Sequence, residues 1–306
     1  MAVIEVERLH KRYGDDVAVH EVSFEVERGE IFGILGPNGA GKTTTVECLS
    51  GLRRRDGGRV SVLGLDPVAE RDALRQVLGV QLQHSALPER LRVREALELY
   101  ASFYRQPADI GELLSRLGLT EKAGTAYKKL SGGQQQRLAI ALAMVGSPQV
   151  VVLDELTTGL DPHARRATWE MVEQVRDAGV TVLLVTHFME EAERLCDRVA
   201  LIDAGRVVAV DTPAGLAARA GREQRMRFRP SAPLEDAALL ALPEVTQVLR
   251  HGPKVEVVGT GNLLHAVTAL LARRQIIAGD LRVEQASLDD AFVSLTTHTT
   301  TSGATS

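Results

Sequence analysis

Gly36-Pro37-Asn38-Gly39-Ala40-Gly41-Lys42-Thr43-Thr44 decides the reading of this chain, because it follows the apolar run Ile31–Leu35 and opens a helical pattern. The pattern G-x-x-x-x-G-K-[ST] requires that context of strand, glycine turn and helix to hold phosphates. Glycines let backbone amides approach the oxygens, Lys42 reaches the outer phosphates, and the Thr43 hydroxyl can ligate Mg2+. A plain glycine turn would not require Lys and Thr at those positions. The stretch predicts a nucleoside triphosphate site.

Working outward, Val150–Leu153 is another continuous apolar run, and it ends in two adjacent acids, Asp154 and Glu155. Such a pair can merely cap a helix; downstream of a phosphate loop it reads as chemistry. Asp154 is the metal-side carboxylate, and Glu155 is positioned to polarise water as a general base. Leu130-Ser131-Gly132-Gly133-Gln134 then precedes a helical pattern running to Val145. Free amides, a hydroxyl and the helix dipole make that start an anion site, although Ser-Gly-Gly is also a common cap and turn.

The runs Ile31–Leu35, Val150–Leu153 and Val180–Val185 read as parallel strands covered on both faces. Ile4–Glu7 and Val22–Glu27 alternate apolar and charged residues, as half-buried antiparallel strands do. Between the core strands, Val93–Tyr104 and Gln134–Val145 have helical spacing and predict a helical insertion over about 84–148. Near Ala220-Gly221 the pattern changes to an arginine-rich stretch, Arg222–Arg229, read as an exposed strand rather than a lipid-binding patch. Val255–Val258, helix-like Leu263–Arg273 and Ile276–Val283 follow, predicting a small α+β domain over 221–295. Thr296–Ser306, rich in Thr, Ser, Gly and Ala, reads as a disordered tail.

The formal net charge of −4 over 306 residues does not suggest nucleic acid or an anionic membrane surface as the main partner. The two cysteines, Cys48 and Cys196, lie in apolar helical stretches without metal-like spacing and read as buried free thiols. The N-terminal stretch does not read as a signal peptide, and the longest apolar run, Leu138–Gly146, falls far short of the ~20 residues of a membrane span.

The nine-residue loop, Tyr13, Gln83, Leu130–Gln134, Asp154-Glu155, Asp161 and His187 stand in the order and spacing of the ATP-binding cassette (ABC) ATPases, which the chain resembles over roughly residues 2–220. The resemblance implies an α/β fold with a mostly parallel core sheet, an antiparallel β subdomain and a helical subdomain, binding ATP and Mg2+. It implies two copies docked head to tail, each ATP lying between the Gly36–Thr44 loop of one and the Ser131–Gln134 signature of the other. Tyr13 corresponds to the aromatic that stacks on adenine, and Gln83 to the glutamine that senses Mg2+ and the attacking water. Gln81 is the alternative, but the spacing to Leu91-Arg92-Val93 favours Gln83. Asp161, which alone would pass for a helix cap, corresponds to the loop crossing the dimer interface, and His187 to the switch histidine at the γ-phosphate. Leu156 departs from the family, where proline is common.

Ala286-Ser287-Leu288-Asp289-Asp290-Ala291-Phe292 is similar to an ending found in drug-resistance ABC ATPases of the daunorubicin type, which pair with ABC-2-type permeases. An amphipathic helix explains it nearly as well. The implied function is ATP hydrolysis powering a separate membrane permease in export, from the cytoplasmic face of the membrane. The alternatives are a soluble ABC ATPase acting on ribosomes or DNA, whose paired cassettes or coiled-coil insertion are missing here, and an importer ATPase.

Overall fold

A computed structural model describes residues 1–82, 87–220, 224–284 and 288–293. The chain divides into two compact units, Met1–Pro213 and Ala214–Ser306. That division falls at the start of the helix Pro213–Ala220, whereas the sequence pattern changes at its end.

The first unit contains strands β1 (Ala2–Tyr13), β2 (Asp16–Glu27), β3 (Ile31–Leu35), β4 (Gly57–Val62), β5 (Leu78–Gln81), β6 (Val150–Asp154), β7 (Thr181–Thr186), β8 (Arg198–Asp203) and β9 (Arg206–Asp211). Six of them form a sheet of order β5-β6-β7-β3-β8-β9, parallel except for the antiparallel edge strand β9. Every residue of β3, β6 and β7 is buried, which is why these strands read as continuous apolar runs. The other sheet, of order β2-β1-β4, is antiparallel; Val22, Phe24 and Val26 are buried while Glu21, Ser23 and Glu25 are exposed. One apolar core joins the two sheets through Phe24, Phe32, Ile34, Val46 and Val185, with the Phe24 and Phe32 rings stacked at 5.4 Å.

Helices Val93–Ala101, Ile110–Arg116 and Gly132–Met144 lie between β5 and β6. The first stops short of Tyr104: the Ser102 hydroxyl turns back onto the Leu99 carbonyl, and the Tyr104 ring closes over Gly146 so tightly that a Cβ there would sit 2.3 Å from it. Among the described residues no helix is long and apolar enough to cross a membrane. Cys48 and Cys196 are buried free thiols, and burial pushes the Cys48 thiol up to about 11.

The second unit runs β10 (Gln224–Pro230), helix Asp236–Leu240, β11 (Val245–His251), β12 (Lys254–Gly259), helix Leu263–Arg273 and β13 (Ala278–Glu284). Its antiparallel sheet has the order β11-β12-β10-β13, which is the split β-α-β arrangement of ferredoxin-like domains. Met226, Phe228, Val255 and Val257 pack with Leu263, Val267 and Leu271. Arg225, Arg227 and Arg229, alternating with Met226 and Phe228, are exposed. Residues 294–306, including the Thr296–Ser306 tail, lie outside the described residues.

Candidate nucleotide site

Strands β5, β6, β7 and β3 are consecutive neighbours in the main sheet and run parallel. Their carboxyl ends carry Gln81, Asp154-Glu155, His187 and the Gly36–Thr44 loop respectively, so residues up to 151 positions apart in sequence converge on one rim. Open α/β sheets bind ligands at that end.

The loop is shaped by backbone contacts that exclude side chains. A Cβ at Gly36 would lie 2.0 Å from the Ile202 carbonyl oxygen, and one at Gly41 would lie 2.4 Å from that of Ala18. Gly41 also has φ of 95°, in the region that favours glycine. It sits at the N-cap of helix Lys42–Leu49, where no side chain caps the first turn. The amides there remain open to an anion. Gly39 adopts φ of 82° with open space around it. Pro37, Asn38 and Thr43 are exposed, Ala40 is buried, and Thr44 is half-buried. Lys42 is buried, and its Nζ donates to the Gly36 carbonyl at 2.8 Å and the Pro37 carbonyl at 3.0 Å. Burial lowers its pKa, while the Glu155 and Asp154 carboxylates act in the opposite sense. The cation, both acids and the loop therefore share one electrostatic neighbourhood.

Asp154 is buried at the end of β6, and its amide donates to Gln81 Oε1 at 3.1 Å. Gln81 Nε2 in turn donates to the Leu82 carbonyl at 2.8 Å, so the alternative to Gln83 is a buried clamp on the Asp154 backbone. Gln83 itself lies outside the described residues. Glu155 follows in the left-handed region, φ 49°, a conformation that costs a non-glycine residue about 1–3 kcal/mol. Its amide donates to the Val185 carbonyl on β7 at 2.8 Å, and its Oε1 lies 3.1 Å from His187 Nδ1. The strained turn thus brings the two residues together. Leu156, where proline is common in ABC ATPases, is buried in the core.

Glu191, which sequence reasoning passed over, is a fully buried acid accepting a hydrogen bond from Trp169 Nε1 at 3.0 Å. Burial raises its pKa, while Thr186, Trp169 and Thr157 favour the charged form. The Trp169 bond ties helix Met189–Leu195, which follows β7 and His187, to helix Pro162–Asp177.

The remaining candidates are carried by other elements. Tyr13 ends β1 with an exposed ring, the Arg53 guanidinium 5.1 Å and the Lys11 ammonium 5.5 Å from its centre. Asp161 caps helix Pro162–Asp177, its Oδ1 accepting from the His163 and Ala164 amides. Those amides hold its carboxyl below the usual range, the Ala164 bond foremost. At the signature, Ser131 Oγ accepts from the Gln134 amide, and Gln134 Oε1 from the Ser131 amide. This capping box leaves the Gly132 and Gly133 amides at the start of the 13-residue helix. Ser131 and Gly132 are exposed, and the only neighbours that a Cβ at Gly132 or Gly133 would meet among the described residues are Leu160 and Ala164.

An ABC transporter family model matches residues 19–158. Over 96% of its length the chain is 40% identical to the daunorubicin resistance ATP-binding protein DrrA3 of Streptomyces coeruleorubidus, covering 95% of that protein. The chain belongs to the ATP-binding proteins of ABC transporters. The Nod factor export ATP-binding protein I of Burkholderia orbicola is 44% identical over 71% of this chain and 73% of its own length. A solved ATP-binding subunit of an ABC transporter, 29% identical, superposes with a TM-score of 0.65 over 71% of this chain and 92% of its own. A dimeric cassette bound to ADP and phosphate, 25% identical, has a TM-score of 0.61 over 68% of this chain and 98% of its own. This ABC protein is an ATPase.

Proposed function

We propose that this ABC ATPase powers export through separate membrane subunits, and that its active site forms only between two copies docked head to tail. The observation that carries the reading is the exposed signature: a helix start with two glycine amides in place, not needed by the packing of its own chain. In this reading Gly36–Thr44 of one copy and Ser131–Gln134 of the other enclose the triphosphate, with Tyr13 against adenine and Asp161 at the interface.

Lys42 leaves its loop carbonyls to neutralise the outer phosphates. Thr43, Asp154 and, by resemblance, Gln83 would hold Mg2+, which would supply charge neutralisation at the β- and γ-oxygens. Among the described residues no cluster of three or more His, Cys, Asp or Glu could hold a metal alone. A hydroxyl with one buried carboxylate instead fits a cation shared with phosphate oxygens. Glu155 takes the proton of the attacking water as its oxygen bonds to the γ-phosphorus and the bond to the bridging oxygen breaks, releasing ADP. His187 orients that carboxylate and meets the γ-phosphate.

Export, drugs as cargo and an ABC-2-type permease are supported by likeness to the daunorubicin resistance and Nod factor export proteins. Ser287–Phe292, partly outside the described residues, adds to the drug-resistance resemblance. A cavity of about 640 Å³, where Leu52, Leu82, Tyr100 and Phe103 stand beside Asp72 and Arg75, supports docking of a permease there, and with it a position at the cytoplasmic face of the membrane. We assign residues 1–220 to the cassette, with 84–148 as its helical subdomain.

Mixing Gly132→Asp and Lys42→Ala chains tests the composite site. One interface of the mixed dimer then combines an intact loop with an intact signature, and the other combines both defects. ATP-dependent crosslinking restored at one interface is the expected result. Loss of ATP binding by a folded Gly132→Asp monomer would put the signature in its own chain's site.

A further inference from the structure

The arginines of β10 belong to the second unit, whereas the candidate nucleotide residues belong to the first. Helices Asp236–Leu240 and Leu263–Arg273 cover one face of the second unit's sheet, and the other face carries Arg225, Arg227 and Arg229 from β10, Arg282 from β13, and Lys254 and His251 from β12 and β11. At the centre is Glu256, whose side chain is only 3% exposed. Its Oε2 accepts from Arg227 Nε at 2.8 Å and lies 3.3 Å from His251 Nε2, while its Oε1 lies 3.9 Å from Arg225 Nη1. The Arg227 hydrogen bond holds the Glu256 carboxyl below its usual range. This buried carboxylate fixes one arginine and one histidine in a wall.

A cavity of about 320 Å³ opens beside that wall, lined by Arg227, His251, Lys254, Glu256, Asp280 and Arg282. Its volume is at the small end of ligand pockets, roughly 300–1,000 Å³. Both lining carboxylates are engaged, Glu256 as above and Asp280 by Arg229 Nη2 at 3.4 Å. Lys254 and Arg282 have no carboxylate within 4.0 Å among the described residues. Arg282 stands directly opposite Arg227 in the β10–β13 register. Like charges directly opposite destabilise an antiparallel pair, so packing of the sheet does not account for Arg282. An anion between the two guanidinium groups would turn that repulsion into binding, and planar guanidinium forks match phosphate oxygens two at a time.

We propose that this face of the C-terminal unit is a phosphate-binding site, the oxyanion seated between Arg227, Lys254 and Arg282. The phosphate belongs either to a soluble compound or to a lipid headgroup. The test uses the full-length protein with ADP in excess, so that the cassette's own loop is filled. Inorganic pyrophosphate is titrated by calorimetry, and phosphatidylglycerol and phosphatidylcholine vesicles are compared by co-sedimentation. Pyrophosphate binding identifies a soluble phosphate; binding to phosphatidylglycerol vesicles alone identifies a headgroup. In either case the Lys254→Gln/Arg282→Gln variant loses affinity at least tenfold and melts at the same or a higher temperature, because the opposed charges are gone. Absence of binding by both probes, or a variant that binds as the wild type does, overturns the proposal. A variant that melts earlier assigns the two cations to the sheet and overturns it too.

Discussion

Gly36–Thr44 and Leu130–Gln134 are both glycine-bearing loops that open helices, but their glycines answer to different surroundings. In the first, Gly36 and Gly41 are dictated by the chain itself, because Cβ atoms there would strike carbonyl oxygens at 2.0 and 2.4 Å. In the second, Cβ atoms at Gly132 and Gly133 would meet Leu160 at 3.7 Å and Ala164 at 3.4 Å, and neither glycine has positive φ. One loop is needed by its own fold and the other is not. A glycine that its own chain does not need points to something outside the chain that approaches closely.

The largest expected effect sharpens this contrast by halting the reaction after the two loops have met. Glu155→Gln keeps size and hydrogen bonding but removes the base, so hydrolysis falls about 10²–10⁴-fold while ATP still binds. An ATP-dependent dimer should accumulate, visible by size-exclusion chromatography beside a phosphate-release assay. Turnover at the wild-type level would remove Glu155 from its role.

Lys42→Ala acts earlier and less strongly. Removing the buried ammonium withdraws a charge-assisted hydrogen bond, about 1.5–3 kcal/mol, so ATP affinity falls roughly ten- to a hundredfold by calorimetry. Affinity unchanged by the substitution would break the assignment of the loop as the phosphate cradle. Gly41→Ala tests the loop's geometry: a Cβ at φ 95° against the Ala18 carbonyl costs about 1–3 kcal/mol of cassette stability in denaturant unfolding. If the variant unfolds as the wild type does, the fold does not need that glycine and the contrast collapses.

Much of this was legible in the sequence where local rules sufficed. Continuous apolar runs gave β3, β6 and β7, and the loop pattern placed Lys42 and Thr43 at a helix start. What stayed hidden depends on which strands become neighbours. The contact of Glu155 with His187 exists because β6 pairs with β7, and Gln81 reaches the Asp154 amide because β5 pairs with β6. Glu191 was invisible for another reason: flanked by Glu190 and Glu193 it reads as part of a solvated helix face, and its partner Trp169 lies 22 residues away. In the second unit the strand alternation was readable, but the cavity around Glu256 arises from the order β11-β12-β10-β13, which spacing does not reveal.

The smallest expected effect is the most discriminating, because the two loops should respond to the same substitution in opposite ways. Gly132→Ala places a methyl at the first position of helix Gly132–Met144, where the backbone accepts it and Leu160 is at ordinary contact distance. Alanine there restricts the unfolded chain, so stability should be unchanged or rise by up to about 1 kcal/mol. ATP affinity of the isolated monomer should not move, since the Gly36–Thr44 loop is untouched. The loss should appear only in ATP-dependent dimer closure, where the methyl stands between the partner's phosphate and the Gly132 and Gly133 amides. A stability loss above about 1 kcal/mol would mean that the chain's own packing needs the glycine. Closure indistinguishable from wild type would mean that no phosphate approaches it, and the signature would then have no claim on a partner's site.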